Sequence, residues 1–370
     1  MENRPRIAIF SSFSGQGGVE RMLINLAGGF SGLGCEVELL LLKQNSAYLE
    51  NVPKDVSVYP FRAQHAKTAL PELVHYLRRK RPASLLAAKH RPNQTAVIAK
   101  TLAGVDSRIV LRLGTTTSAA IKDKGLLKWF VWKAGMRYTY PRADAVIAVS
   151  RGVAKDIAMF SGMEMSKINV VPNPVITQEI FKMAKEAPSH PWFKKRNKPI
   201  IVGAGRLTRQ KDFVTLIKAF AMVQKKLPAR LLIMGDGRKR GELEKLIEDL
   251  KLKRCVDLAG FVPNPYAIMA RADLFVLSSL WEGSPNVLTE AMALGIPVVS
   301  TDCPSGPREI LKGGSVAPLV PMKDQEALAQ AMLSILKNPP DVEAIKAAVK
   351  SYTVEQSSKR YLEIMLGRGV

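Results

Sequence analysis

Two acidic side chains, Glu282 and Glu290, flank the point where an apolar run, Leu274-Phe275-Val276-Leu277-Ser278-Ser279, gives way to a loop and then to a helical pattern. Ser284 reads as the helix N-cap and Pro285 as its first residue, which leaves backbone N–H groups pointing out of the strand's carboxyl end, where a phosphate is favoured. Carboxylates on either side of that anion can accept hydrogen bonds from hydroxyls, one from a sugar and one from a ribose. A second run, Ile200-Ile201-Val202-Gly203, is followed by Gly205, Arg206 and, opening the next helix, Lys211. A guanidinium fork and an ammonium at one sheet edge can hold both phosphates of a diphosphate and neutralise charge as a leaving group departs. Gly235-Asp236-Gly237, after the run 231–234, is a tight turn that brings backbone close to a ligand, although alone such a turn only ends a strand. His65, His75, His90 and His190 are scattered without ligand spacing and there is no Asp-x-Asp triplet, so no metal is expected and Arg206 and Lys211 would take its place.

The elements that must position these residues follow from length and patterning. A chain of 370 residues exceeds one ordinary core and suits two domains. Strand-length apolar segments at 6–10, 36–42, 84–88, 108–113 and 145–149 alternate with helical patterns, which predicts a parallel sheet covered by helices. A stretch holding Pro172, Pro174, Pro188, Pro191 and Pro199 interrupts the pattern, leaving no room for a long helix or strand, and reads as a linker. The alternation restarts at 200–203 and continues through 231–234, 256–259, 274–278 and 298–301, a second parallel sheet. The predicted organisation is α/β, with an N-terminal domain over 1–175, a linker over 176–198, a C-terminal domain over 199–350, and a segment at 351–370 whose helix packs back on the first domain.

Composition narrows the partners. The net charge of +23, with both halves basic, draws the chain to phosphates: nucleic acid, anionic lipid or a diphosphate ligand. No aromatic RNP-like strand, zinc finger or basic heptad supports nucleic acid, which is therefore not an expected partner. Cys35, Cys255 and Cys303 are odd in number, far apart and without a CxxC pair, which fits a reducing compartment. No signal-peptide pattern and no apolar run of membrane-spanning length is seen, so a cytoplasmic protein, at most peripheral at the inner face of the membrane, is expected.

Glu282 and Glu290, with seven residues between them, resemble the paired-glutamate motif of family 4 retaining glycosyltransferases of the GT-B fold. The resemblance runs through Gly17-Gly18-Val19-Glu20-Arg21, Ala143 to Ser150 with Gly152, Val171-Pro172-Asn173-Pro174-Val175, Gly205-Arg206-Leu207 with Lys211, Gly235-Asp236-Gly237 and Gly260-Phe261-Val262. It implies two doubly wound Rossmann-like domains facing one another across a cleft, the first binding an acceptor and the second a nucleotide-sugar donor. It implies further that Glu282 binds hydroxyls of the transferred sugar and Glu290 the ribose, while Arg206 and Lys211 grip the pyrophosphate beside Asp236, Gly283 and the backbone of Asn286, Val287 and Leu288. Phe261 and Val262 would hold the base, and Gly17 and Gly18 would approach the phosphates from the first domain, where a side chain would obstruct them. Arg206, Lys211 and Glu282 would carry catalysis without a protein nucleophile or resident cofactor, the leaving phosphate helping to deprotonate the acceptor. One departure is that the His many relatives carry after the strand 110–113 is replaced by Gly114-Thr115-Thr116-Thr117, so no catalytic imidazole is transferred.

The motifs 282–290 and 301–307 resemble bacterial enzymes of polysaccharide and lipid-linked oligosaccharide assembly, implying a UDP-hexose or UDP-N-acetylhexosamine donor and a glycan or lipid-linked acceptor. The stretch 121–140 interleaves Lys122, Lys124, Lys128, Lys133 and Arg137 with five aromatics, a pattern that suits an anionic membrane surface and equally a core helix with charged edges. The cluster Arg78-Arg79-Lys80-Arg81 suits lipid headgroups, a pyrophosphate-linked acceptor or a helix carboxyl end. Two other readings compete: a GT-B-type epimerase or synthase, and an NAD-dependent oxidoreductase, the latter opposed by the absence of GxGxxG around Gly15, Gly17 and Gly18. As a transition-state cation, Lys211 is expected to be replaceable by Ala with loss of turnover and an intact fold.

Overall fold

The computed structural model describes residues 4–13, 18–44, 47–121, 125–194 and 196–368. The chain divides into two units, Met1–Val175 with Tyr352–Val370, and Ile176–Ser351.

The first unit is built on strands β1 (Arg6–Phe13), β2 (Glu36–Gln44), β3 (Val56–Pro60), β4 (Ser84–Ala88), β5 (Arg108–Leu113), β6 (Ala145–Ala148) and β7 (Ile168–Val170). They pair in parallel in the order β3-β2-β1-β4-β5-β6-β7. Helices on both faces bury the central strands, which explains why β4 and most of β1 are apolar without alternation. The strand order reverses between β1 and β4. The last helix, Val354–Leu366, belongs to this unit: Tyr361, Ile364 and Met365 are buried in the core formed with Met22, Leu26 and Phe30 of the helix Gly18–Gly32. Thr353 caps its amino end by accepting from the Gln356 amide.

The second unit holds β8 (Ile200–Ala204), β9 (Arg230–Met234), β10 (Val256–Gly260), β11 (Leu274–Leu277), β12 (Val298–Thr301) and β13 (Leu319–Val320), again all parallel, in the order β10-β9-β8-β11-β12-β13. Here the order reverses between β8 and β11. In an open parallel sheet the connections leave opposite faces at that point, and the crevice beyond the strands' carboxyl ends is where ligands are received.

Two local expectations change. The stretch read as a linker contains a helix, Gln178–Lys185, because its prolines stop at Pro174 and resume at Pro188, and because Thr177 caps the segment by accepting from the Ile180 amide. The helix after β11 begins at Asn286, not Pro285: Pro285 occupies the cap position in extended conformation, and no side chain caps that end.

Candidate functional site

The loops beyond the carboxyl ends of β8 to β12 are joined by a continuous run of hydrogen bonds. Gly235 N–H donates to Gly260 O at 2.7 Å, Leu207 N–H to Asp236 O at 2.9 Å, and Leu280 N–H to Gln210 O at 2.8 Å. Ser278 Oγ donates to Lys211 O at 2.7 Å, Thr301 Oγ1 to Ser279 O at 2.6 Å and Ser305 Oγ to Gly283 O at 3.2 Å. This rim carries Phe261 and Val262, Asp236, Gly205, Arg206, Lys211, Glu282, Gly283 and Asn286, so residues from Gly205 to Asn286 lie along one sheet edge.

Glycines set how tightly the rim closes. Gly235 has φ +132°, and a Cβ there would lie 2.1 Å from Gly205 O; Gly205 has φ +149°, and its Cβ would meet Lys211 Cε at 2.7 Å. The turns after β8 and β9 can touch, with the Lys211 stem lying across Gly205, only because neither residue has a side chain.

At the β8/β11 reversal stands an ion pair. Lys211 Nζ lies 2.6 Å from Glu282 Oε1, and Ser279 Oγ donates to the same oxygen at 2.7 Å. Gln210 Nε2 sits 3.5 Å from Oε2 and donates to Trp281 O at 2.9 Å. Glu282 is buried, and with Oε1 doubly engaged its other oxygen has the capacity to accept from a ligand hydroxyl. Cys303 lies close by, its thiol pushed up to about 12 by burial and by the Glu282 carboxylate, against a smaller opposing pull from Lys211, so it is an inert neutral group.

Glu290 is also buried, on the helix Asn286–Ala293, and its Oε1 accepts from the Tyr266 hydroxyl at 3.3 Å. Arg206, Asp236 and Phe261 are exposed on the rim, Asp236 accepting from the Gly237 amide at 2.7 Å. The Leu288 amide donates to Pro285 O at 3.1 Å, so of the three amides expected to meet a phosphate this one is engaged in the first turn. Gly18 opens the helix Gly18–Gly32 of the first unit, and Gly17 lies outside the described residues. Sequence reasoning missed Ser279, Gln210 and Tyr266. Ser279 and Gln210 neighbour flagged residues in sequence, whereas Tyr266 meets Glu290 only through the fold.

Elsewhere, His190 pairs with Asp257 at 2.8 Å. Arg78 donates to Leu102 O and Ala103 O at the carboxyl end of the helix His90–Ala103, so that part of the basic cluster caps a helix. Among the described residues there is no cluster of metal-ligating side chains, and no helix is long and apolar enough to cross a membrane.

The profile of the glycosyl transferases group 1 matches residues 185–352 and that of glycosyltransferase family 4 matches residues 16–179, covering both units. Over 262 residues the chain is 30% identical to the N-acetylgalactosamine-N,N'-diacetylbacillosaminyl-diphospho-undecaprenol 4-alpha-N-acetylgalactosaminyltransferase of Campylobacter jejuni, a span of 71% of this chain and 69% of that one. This chain belongs to the family 4 glycosyltransferases. The glycosyltransferase is also 37% identical over 178 residues to an uncharacterized glycosyltransferase of Methanocaldococcus jannaschii, a match spanning 47% of this chain and 44% of that protein. Its fold is GT-B: the crystal structure of Anabaena HepE in complex with UDP superposes with a TM-score of 0.79 at 20% identity, over 98% of this chain and all of that one.

Proposed function

We propose that this glycosyltransferase moves a hexose or N-acetylhexosamine from a UDP-sugar to a lipid-linked glycan acceptor in bacterial polysaccharide or lipopolysaccharide assembly, with retention and without a metal. The observation that carries the reading is the Lys211–Glu282 pair at the strand-order reversal, with exposed Arg206 in the same loop as Lys211 and Glu290 on the next helix. In the reaction, the Lys211 ammonium and Arg206 guanidinium hold the pyrophosphate, and their charge offsets the negative charge that builds on the departing UDP. Glu282 Oε2 accepts from a hydroxyl of the sugar, Glu290 from the ribose, and Phe261 covers the base. The leaving phosphate oxygen takes the proton of the attacking acceptor hydroxyl in place of a protein base, so the chain's contribution is orientation and fixed charge. Support for a UDP donor comes from the UDP held by the Anabaena HepE structure, and support for a lipid-linked acceptor from the name of the Campylobacter relative.

Membrane association belongs to the same proposal. The helix Leu126–Thr139 leaves Leu126 and Leu127 each 79% exposed, and Phe130 and Val131 each 61% exposed, while Lys128 is exposed and Lys133 stands over the Trp129 ring at 4.7 Å. Apolar side chains with flanking cations on one helix suit a headgroup boundary at the inner face of the cytoplasmic membrane. Lys122 and Lys124 lie outside the described residues.

The test is a panel of nucleotide sugars assayed for thermal stabilisation and hydrolysis in EDTA. A response to a UDP-sugar, abolished by Glu290→Ala and by Arg206→Ala, supports the reading; turnover that vanishes in EDTA and returns with a divalent ion overturns the metal-free mechanism.

A further inference from the structure

We propose that the first unit carries an oxyanion-binding site organised around the buried guanidinium of Arg112, taking a phosphoryl or carboxylate group of the acceptor. That the anion belongs to the acceptor rests on the glycosyltransferase reading above; the site itself rests on the following geometry.

A cavity of about 540 Å³ opens at the carboxyl ends of β1, β4 and β5, at the strand-order reversal of the first sheet, with Ser12, Lys89, His90, Arg112, Gly114 and Trp132 among its walls. Arg112 is an intrusion in the strand sequence RIVLRL and is only 1% exposed. A charge buried to that degree costs several kcal/mol unless an opposite charge answers it. Here Nη2 donates to the neutral Asn173 Oδ1 at 2.7 Å, the Tyr361 phenol lies alongside, and Nε has no acceptor among the described residues. Asp156 accepts from the Thr117 and Ser118 amides, and Glu20 Oε1 pairs with the cavity-wall residue Lys89 at 3.4 Å, so neither carboxylate is hydrogen-bonded to Arg112 among the described residues. Gly114 keeps one end of the fork uncovered, since a Cβ there would sit 2.6 Å from Nη1.

A second side chain points to the same ligand. His90 is 91% buried, its ring is stacked on Trp132 with centroids 3.9 Å apart, and its Nδ1 is buried with no partner among the described residues. Burial and neighbouring Arg91 push this imidazole down to about 4, so at neutral pH it is uncharged and has one N–H to donate. A guanidinium with no counter-charge and an imidazole Nδ1 with no hydrogen-bond partner among the described residues, on the walls of one cavity, match an oxyanion rather than a neutral hydroxyl, because only an anion answers the charge.

The experiment uses the full chain with UDP at saturation, so that the diphosphate rim of the second unit is filled. Inorganic pyrophosphate, phosphate and glucuronate are then titrated by calorimetry and thermal shift, the phosphate and glucuronate arms distinguishing a phosphoryl from a sugar carboxylate. The wild type is expected to show one further saturable site. Asn173→Asp, which places a carboxylate against Arg112 at unchanged volume, should weaken that site at least tenfold while raising Tm, and Arg112→Gln should abolish it; the surface variant Lys128→Gln should leave it unaltered. Absence of a saturable site in the wild type, wild-type affinity in Asn173→Asp, or an equal loss in Lys128→Gln would each overturn the proposal, the last by exposing nonspecific binding to a basic surface. If Arg112→Gln fails to fold, Asn173→Asp still decides. The response to UDP itself, recorded in the same series, tests the donor reading separately: losing it while the oxyanion site persists removes that reading and leaves this one.

Discussion

Lys211 Nζ and Glu282 Oε1, 71 positions apart in sequence, meet at 2.6 Å where the order of the second sheet reverses, and Ser279 shares the same carboxylate oxygen. Lys211 is therefore the counter-charge of a buried acid.

That relationship revises the expectation that Lys211→Ala spares the fold. Removing one partner of a largely buried pair leaves an uncompensated charge, at a cost of about 3 kcal/mol, so both the denaturation midpoint and turnover should fall, turnover by two orders of magnitude or more. Lys211→Met combined with Glu282→Gln should recover most of the stability and none of the activity. A Lys211→Ala protein with an unchanged midpoint would show that the pair contributes nothing to folding.

Gly235→Ala is expected to be among the most damaging single-methyl changes in the second unit. The added Cβ falls 2.1 Å from the backbone oxygen of Gly205, and φ +132° is strained for any L side chain. The two turns must separate, and the Lys211 stem that lies over Gly205 moves with them. Donor KM should rise at least tenfold alongside a loss of about 2–4 kcal/mol in stability, read by urea denaturation and initial rates.

Burial gives His90 a pH signature. Its folded pKa of about 4 lies below the unfolded 6.5, so the unfolded state binds the extra proton first as pH falls. The stability attached to this residue is complete above about pH 6.5 and is lost between there and pH 4, amounting to at most about 3 kcal/mol. His90→Asn should flatten that part of the Tm–pH curve relative to wild type; parallel curves would rule the imidazole out as the source.

For the helix Leu126–Thr139, binding to liposomes containing anionic lipid should weaken with added salt and with Lys128→Glu plus Lys133→Glu, and also with Leu127→Ser plus Phe130→Ser. Sedimentation with vesicles measures both. Binding that responds to charge reversal and ignores the apolar pair would reduce the contact to electrostatic adsorption.

The major strands were legible because a strand buried on both faces must be apolar throughout, and β1, β4, β5, β8, β9 and β11 announce themselves that way. The edge strands β3, β7 and β13 were not, being two to five residues long with little buried surface to impose a pattern. The helix Gln178–Lys185 was hidden by prolines on both sides of it.

By itself the sequence determined which residues could do chemistry and in what order the elements come, because apolar periodicity, glycines at turns, and paired acids and cations are local properties of the chain. Only the tertiary structure decided that Lys211 is spoken for by Glu282, that Tyr266 meets Glu290, and that Arg112, an ordinary basic residue on paper, is buried on the wall of the same cavity as His90 with no carboxylate paired to it among the described residues. Each of those depends on strand order and on burial, and both are set by distant segments packing together, which no local window of sequence contains.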